Sequence, residues 1–271
     1  SISALKQPLK RIKIMAENKN AVTNPKTTEI TTFDDTLLSG GTGLEETTTE
    51  DFAIPFIRVL QPMSPQLQKQ HGSYVAGASA GDLYNTVTGE FYDGEEGISV
   101  VPCAYNKKYI EWIPREKGGG LVNANHDISI LSSCVRNPDD RRHYTPTGNE
   151  IVETAQFFIL VIKDGVAQQA VLALTSTQLG VARKWLTMLR MAKVQNAKGD
   201  SVDAPMFAYT YKLSTITQSN DKGSWNAYSI NQDGATDIAI ARIAKDFMSA
   251  ARTGDVDVKQ EQQNDVVNDT I

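Results

Sequence analysis

Two apolar runs, QFFILVIK and VAQQAVLALT, face each other across Asp164-Gly165 within residues 156–175, and this pairing constrains the fold more than any other feature of the chain. Asp-Gly readily supplies the left-handed backbone of a two-residue turn, so strand-length runs on both sides predict a long antiparallel β-hairpin. ISVVPCAYNKKYIEWIP (98–114) is a strand-like run ahead of it, and ISILSSCV (128–135) reads as another strand. At STQLGVARKWLTMLRMAKV (176–194) the period changes. Leu179, Ala182, Leu186 and Leu189 form an i, i+3, i+7, i+10 stripe that Ser176 or Thr177 can cap, which predicts a helix. Strands at 206–217 and 224–231, joined by the polar 218–223, and an amphipathic helix at 235–252 complete the series. Upstream, residues around Thr88-Gly89 predict a further hairpin, and Asp51 can cap a short apolar turn that Pro62 and Pro65 keep from lengthening.

Strands, a helix, two strands and a last helix are the order of an OB barrel, which places its helix between the third and fourth strands. The expected class is therefore mainly β or α+β: an OB-like five-stranded barrel with an inserted helix, an extra N-terminal hairpin and a C-terminal helix. A generic α+β sheet leaves much the same pattern.

Charge divides the chain differently. Residues 15–51 carry eight acids against Lys19 and Lys26, and residues 253–271 carry five against Lys259. Between them, residues 52–252 hold 20 Lys and Arg against 19 Asp and Glu, and 103–222 hold 15 against 11. A slightly basic, aromatic middle flanked by acid reads as a polyanion binder carrying its own competitor. The expected organisation is a disordered arm at 1–50, one globular domain at 51–252 and a flexible acidic tail at 253–271. Residues 1–14 are read as non-native sequence upstream of a start at Met15. No apolar run approaches the roughly 18 residues of a membrane helix. Cys103 and Cys134 form no CxxC pair, which fits a reducing cytoplasm.

Catalytic motifs are weak. Gly77-Ala78-Ser79-Ala80-Gly81 matches G-x-S-x-G, but a strand-like segment follows where the nucleophile elbow needs a helix. His71, His126 and His143 lack metal-ligand spacing, and the glycine clusters lack a following Gly-Lys-Ser/Thr. No enzyme and no cofactor are expected.

Binding chemistry remains. Tyr105, Lys107, Lys108, Tyr109, Trp112 and Arg115 interleave rings with cations, so bases can stack while phosphates are tracked. In a strand Tyr105, Lys107 and Tyr109 share one face, and Lys108 and Trp112 the other. Arg136, Arg141, Arg142 and Tyr144 sit in a polar excursion. Arg183 and Lys184 lie on the helix, and Tyr211, Lys212 and Trp225 on the last strand pair. Each set has a plainer reading as core rings or solvated charge. With no basic recognition helix, these clusters point to single-stranded rather than duplex nucleic acid.

The phrases IPFIRVLQPMSPQL (54–67), GDLYNTVTGE (81–90), VPCAYNKKYIEW (101–112), LTSTQLGVARKW (174–185) and SNDKGSWNAY (219–228) resemble a family of bacteriophage proteins, some described as single-stranded DNA-binding proteins. The resemblance implies an OB-fold replication or recombination protein of the bacterial host's cytoplasm whose acidic C-terminus recruits partner proteins. The tail here ends Thr-Ile and lacks the dense acidic run closed by an aromatic residue that bacterial single-strand binders use. The expectation is a single-stranded DNA-binding protein. The alternative is a structural or virion-associated interaction protein whose aromatics are core.

Overall fold

The computed structural model describes residues 22–23, 34–47, 52–221, 223–254, 256, 258 and 260. Its centre is a curled antiparallel half-barrel of eight strands. Five are long: β1 (Ile98–Trp112), β2 (Glu150–Lys163), β3 (Val166–Thr175), β4 (Tyr209–Asn220) and β5 (Gly223–Ala235). β1 pairs with both β2 and β4, β3 pairs with β2, and β5 pairs with β4. Two helices are long, α1 (Leu179–Met191) between β3 and β4, and α2 (Ile238–Thr253) after β5. The fold is thus mainly β with a few helices.

The β2–β3 hairpin forms as its sequence requires, with Asp164 and Gly165 at φ 50° and 77° in the turn. β2 reads as a continuous apolar run because both its faces are covered. On one face, Phe157, Ile159 and Leu172 meet Trp185 and Leu189 of α1 together with Tyr211 and Leu213 of β4. On the other, Phe158, Leu160 and Val171 meet Ala244, Phe247 and Ala251 of α2. The β1–β2 register slips between Phe158 and Ile159, where β1 steps from Ala104 to Pro102. Proline has no N–H for the ladder, so it sits where the ladder is broken.

Asp237 caps α2, its carboxylate accepting from Ala239 N at 2.8 Å, and Gly254 ends it in a left-handed conformation at φ 83°. The expected hairpin near Thr88-Gly89 is present as Leu83–Asn85 paired with Phe91–Tyr92, and Ile57–Val59 joins them in a small sheet. That last segment is a strand rather than the expected apolar turn; Asp51 lies outside the described residues.

The strand expected at 128–135 is instead largely a 3-10 turn, Ile128–Ser133. Asp127 caps it by accepting from Ser129 N at 2.7 Å, while the Ser132 and Ser133 hydroxyls donate to the carbonyls of Ser129 and Ile130. Short hydroxyl side chains hold the backbone locally and outcompete a ladder. Much of the expected arm at 1–50 lies outside the described residues. Within it, Val22–Thr23 pairs with Val75–Ala76, and Asp35–Leu38 forms one helical turn.

Candidate nucleic-acid interface

The connection from β1 to β2, residues 113–149, folds over the end of the sheet and encloses a cleft of about 710 Å³. Its floor comes from the first residues of β2 (Val152, Thr154) and the last of β3 (Ala173, Thr175), with Phe56 and Trp112 alongside. Five arginines among the described residues line it: Arg115, Arg136, Arg141 and Arg142 from the connection, and Arg183 from α1.

Four carboxylates share the lining, so the charge depends on which groups are engaged. Asp140 accepts from Tyr144 OH and from Arg142 N, both at 2.9 Å. Glu150 pairs with the Arg142 guanidinium at 3.2 Å, and Glu153 with Lys107 at 2.6 Å. Those three acids are half-buried, whereas Arg115, Arg136, Arg141 and Arg183 are exposed beside Glu116. The rim therefore presents mainly positive charge. Burial first, then the neighbouring Asp140 carboxylate, pushes the Tyr144 phenol up to about 12, so it stays a neutral donor.

The turn that carries Arg141 is specified locally. Arg141 N donates to Asn137 O and Asn137 N to Arg142 O, both at 2.9 Å, while the Asn137 side chain accepts from Asp139 N at 2.9 Å. Arg141 adopts φ 61°, a conformation costing roughly 1 kcal/mol or more away from glycine. Arg141 is exposed on this turn.

Of the binding residues singled out in the sequence, Trp112, Arg115, Arg136, Arg141, Arg142, Tyr144 and Arg183 come together here, from three separate stretches of chain. The others do not line the cleft. Tyr211 is fully buried against Trp185, and Tyr109 is 3% exposed, so these rings are core and no base can stack on them as they stand. Trp112 lines the cleft but is only 7% exposed, which makes it a wall more than a stacking platform. Tyr105 packs at 5.0 Å on Phe157; Lys107 pairs with Glu153 and Lys108 donates to Asn125 Oδ1 at 3.0 Å. Lys184 and Lys212 are exposed, and Trp225 is half-buried. Phe56, Thr175–Thr177 and Gln260 line the cleft without having been singled out. No charge or ring pattern marks Thr175–Thr177 and Gln260, and Phe56 reads as one more apolar residue in its run.

Residues 24–257 match the Pam3 phage gp34-like protein family, which is most of the chain. The chain belongs to that family. It is thus a bacteriophage protein. Among curated proteins and solved structures, none matches. In this gp34-like chain, the described residues hold no cluster of three or more metal-ligating side chains, and no described helix is long and apolar enough to cross a membrane.

The gp34-like cleft wall is fastened at its base by Glu111 of β1. Burial opposes its charge, but hydrogen bonds from Asn149 Nδ2 and His126 Nε2, both 2.8 Å, outweigh it and hold the carboxyl below its ordinary value. A depressed folded-state carboxyl stabilises above the unfolded value and loses that contribution as pH falls through the folded one. Asn149→Ala should therefore lower stability by about 1 kcal/mol near neutral pH. Its gap to wild type should close as pH drops below the ordinary carboxylate range, as denaturant melts at stepped pH will show.

Proposed function

We propose that this phage protein binds single-stranded DNA without catalysis, protecting it during replication or recombination in the host cytoplasm, and that the arginine-rimmed cleft is the contact surface. The observation that carries the reading is the convergence of arginines from the connection and from α1 over a floor of strand residues. Guanidinium groups grip phosphates in pairs of hydrogen bonds, and the half-buried Tyr144 offers a ring edge.

The pairing order supports the OB reading. The first long strand pairs with the second and the fourth, the third with the second and the fifth with the fourth, leaving a barrel open between the third and fifth. OB folds bind oligonucleotides on the face of strands two and three and with the loop between strands one and two. Here those elements are β2, β3 and residues 113–149, which supply most of the cleft.

The rival reading, a virion-associated interaction protein, draws on Ile128 and Val135, exposed at 65% and 70%. It predicts no affinity for oligonucleotides. A titration of labelled single-stranded DNA followed by anisotropy at low salt separates the two: saturable binding supports the proposal, and a flat trace at micromolar protein sinks it.

The acidic end adds a second expectation. Val256 and Val258 pack half-buried on the core under α2, and Gln260 reaches the cleft, accepting from Gln156 Nε2 at 2.9 Å. Segment 261–271, which follows Gln260 in sequence, carries Glu261, Asp265 and Asp269 and no basic residue. Replacing those three acids with their amides should tighten DNA binding by roughly 3- to 10-fold at low salt and by little at high salt, where the competition is screened. Removing 254–271 outright should also strip Val256 and Val258 from the core they pack against and lower Tm by about 2–6 °C.

A further inference from the structure

On the sheet face that α2 covers, side chains directly opposite one another across β1, β2 and β3 form rows. Ala104, Phe158 and Val171 make an apolar row, packed with Phe247 and Ala251 of α2. The next row, Asn106, Gln156 and Ala173, carries two carboxamides. The one after it holds Lys108, Thr154 and Thr175, and both threonines line the arginine cleft. Along β2 this face therefore passes from core to cleft through the amide row.

The chain beyond α2 follows the same gradient. Val256 and Val258 pack half-buried against the apolar cluster, and Gln260, two residues further on, reaches both the amide row and the cleft. A spacing of two is the period of an extended chain laid on one face. The fit is incomplete at its inner end. Gln156 is fully buried, and its Nε2 donates to Gln260 Oε1 at 2.9 Å, but its own Oε1 has no hydrogen-bond partner among the described residues. A buried acceptor left unpaired is unfavourable, so an occupant that also donates to Oε1 would satisfy Gln156 better than Gln260 does.

An unpaired nucleobase is such an occupant, since its edge sets a donor beside an acceptor and a carboxamide can match both. We infer that the amide row is a second binding station for a single strand, closed in the free protein by the segment carrying Val256, Val258 and Gln260. A strand that runs inward past the arginines displaces Gln260 and seats a base edge on Gln156, with Asn106 beside it. This rests on the cleft being the DNA site. The closing side chains are neutral, so the closure persists at salt concentrations that screen the acidic residues.

The test compares strands of four and twelve nucleotides, the first short enough to stay among the arginines and the second long enough to run past them. Gln260→Ala removes the closing amide without changing the net charge. It should tighten binding of the twelve-mer by about 3- to 10-fold at low and high salt alike, and leave the four-mer within about twofold of wild type. Gln156→Leu, added to Gln260→Ala, should take that gain back, because a side chain of similar size fills the site but offers a base no partner. A second measurement leaves both glutamines in place: the thiol introduced by Val258→Cys, in a Cys134→Ser background with Cys103 fully buried, should be alkylated about tenfold faster when the twelve-mer is bound and no faster with the four-mer. No tightening by Gln260→Ala, an equal gain at both lengths, a gain that Gln156→Leu leaves in place, or alkylation that the twelve-mer does not accelerate would each overturn the second station while leaving the cleft standing. Failure of the wild-type protein to bind either strand would overturn the cleft, and this inference with it.

Discussion

Reversing Arg141 and Arg183 together to Glu is expected to weaken single-stranded DNA binding by about 100- to 1,000-fold at low salt, while thermal unfolding stays within about two degrees of wild type. The two residues approach the cleft from different elements, one from the left-handed turn of the connection and one from α1, and both are exposed. Each reversal removes a counterion-releasing phosphate contact and adds a repulsive charge, so the salt slope should flatten by about 1.4. Lys184→Glu is the control. Lys184 lies next to Arg183 and is also exposed, but it does not line the cleft, so the effect of its reversal should be small. Salt-stepped anisotropy on the double and single variants measures both quantities, and equal losses from Lys184→Glu would show that only overall charge matters.

The largest stability effect is expected at Trp185. Its ring is fully buried, stacks on Phe157 at 4.4 Å and meets the Tyr211 edge at 5.6 Å, so it joins α1 to both β2 and β4. Truncation to Ala leaves a cavity that the closely packed sheet cannot close, at a cost of about 3–5 kcal/mol. Trp185→Phe should cost only about 1–2 kcal/mol, because the indole N–H is buried without a hydrogen-bond partner among the described residues and its loss relieves that penalty. Chemical denaturation of the two variants checks the order, and a Phe variant as unstable as Ala would mean that the indole nitrogen contributes more than its packing.

Trp185 also shows where sequence patterning stopped. The stripe written through Leu179, Ala182, Leu186 and Leu189 placed the helix correctly, but the buried line runs through Ala182, Trp185 and Leu189, with Leu186 only half-buried. The face was legible to within one residue, and the residue left out is its largest. The long hairpin was legible because Asp164-Gly165 fixes the register by itself. ISILSS misled because alternation alone does not distinguish a strand from a turn held by serine hydroxyls.

The candidate site divides along similar lines. Arg115, Arg141, Arg142, Tyr144 and Arg183 were legible as charge and ring clusters, but that three clusters far apart in sequence share one cleft depends on tertiary folding. Rings in strands were the poor signal. Tyr105, Tyr109 and Tyr211 look the same in sequence whether a face meets solvent or is covered, and here α1 covers the face that buries Tyr211.

The most direct test is a salt-stepped gel shift comparing single-stranded with double-stranded DNA of the same sequence. An arginine cleft on a curled antiparallel sheet predicts micromolar or tighter binding to the single strand at low salt, a log–log salt slope of roughly −2 to −4 from about three to five phosphate contacts, and clearly weaker binding to the duplex. Equal affinity for both forms, or no shift of the single strand at low salt, would contradict it.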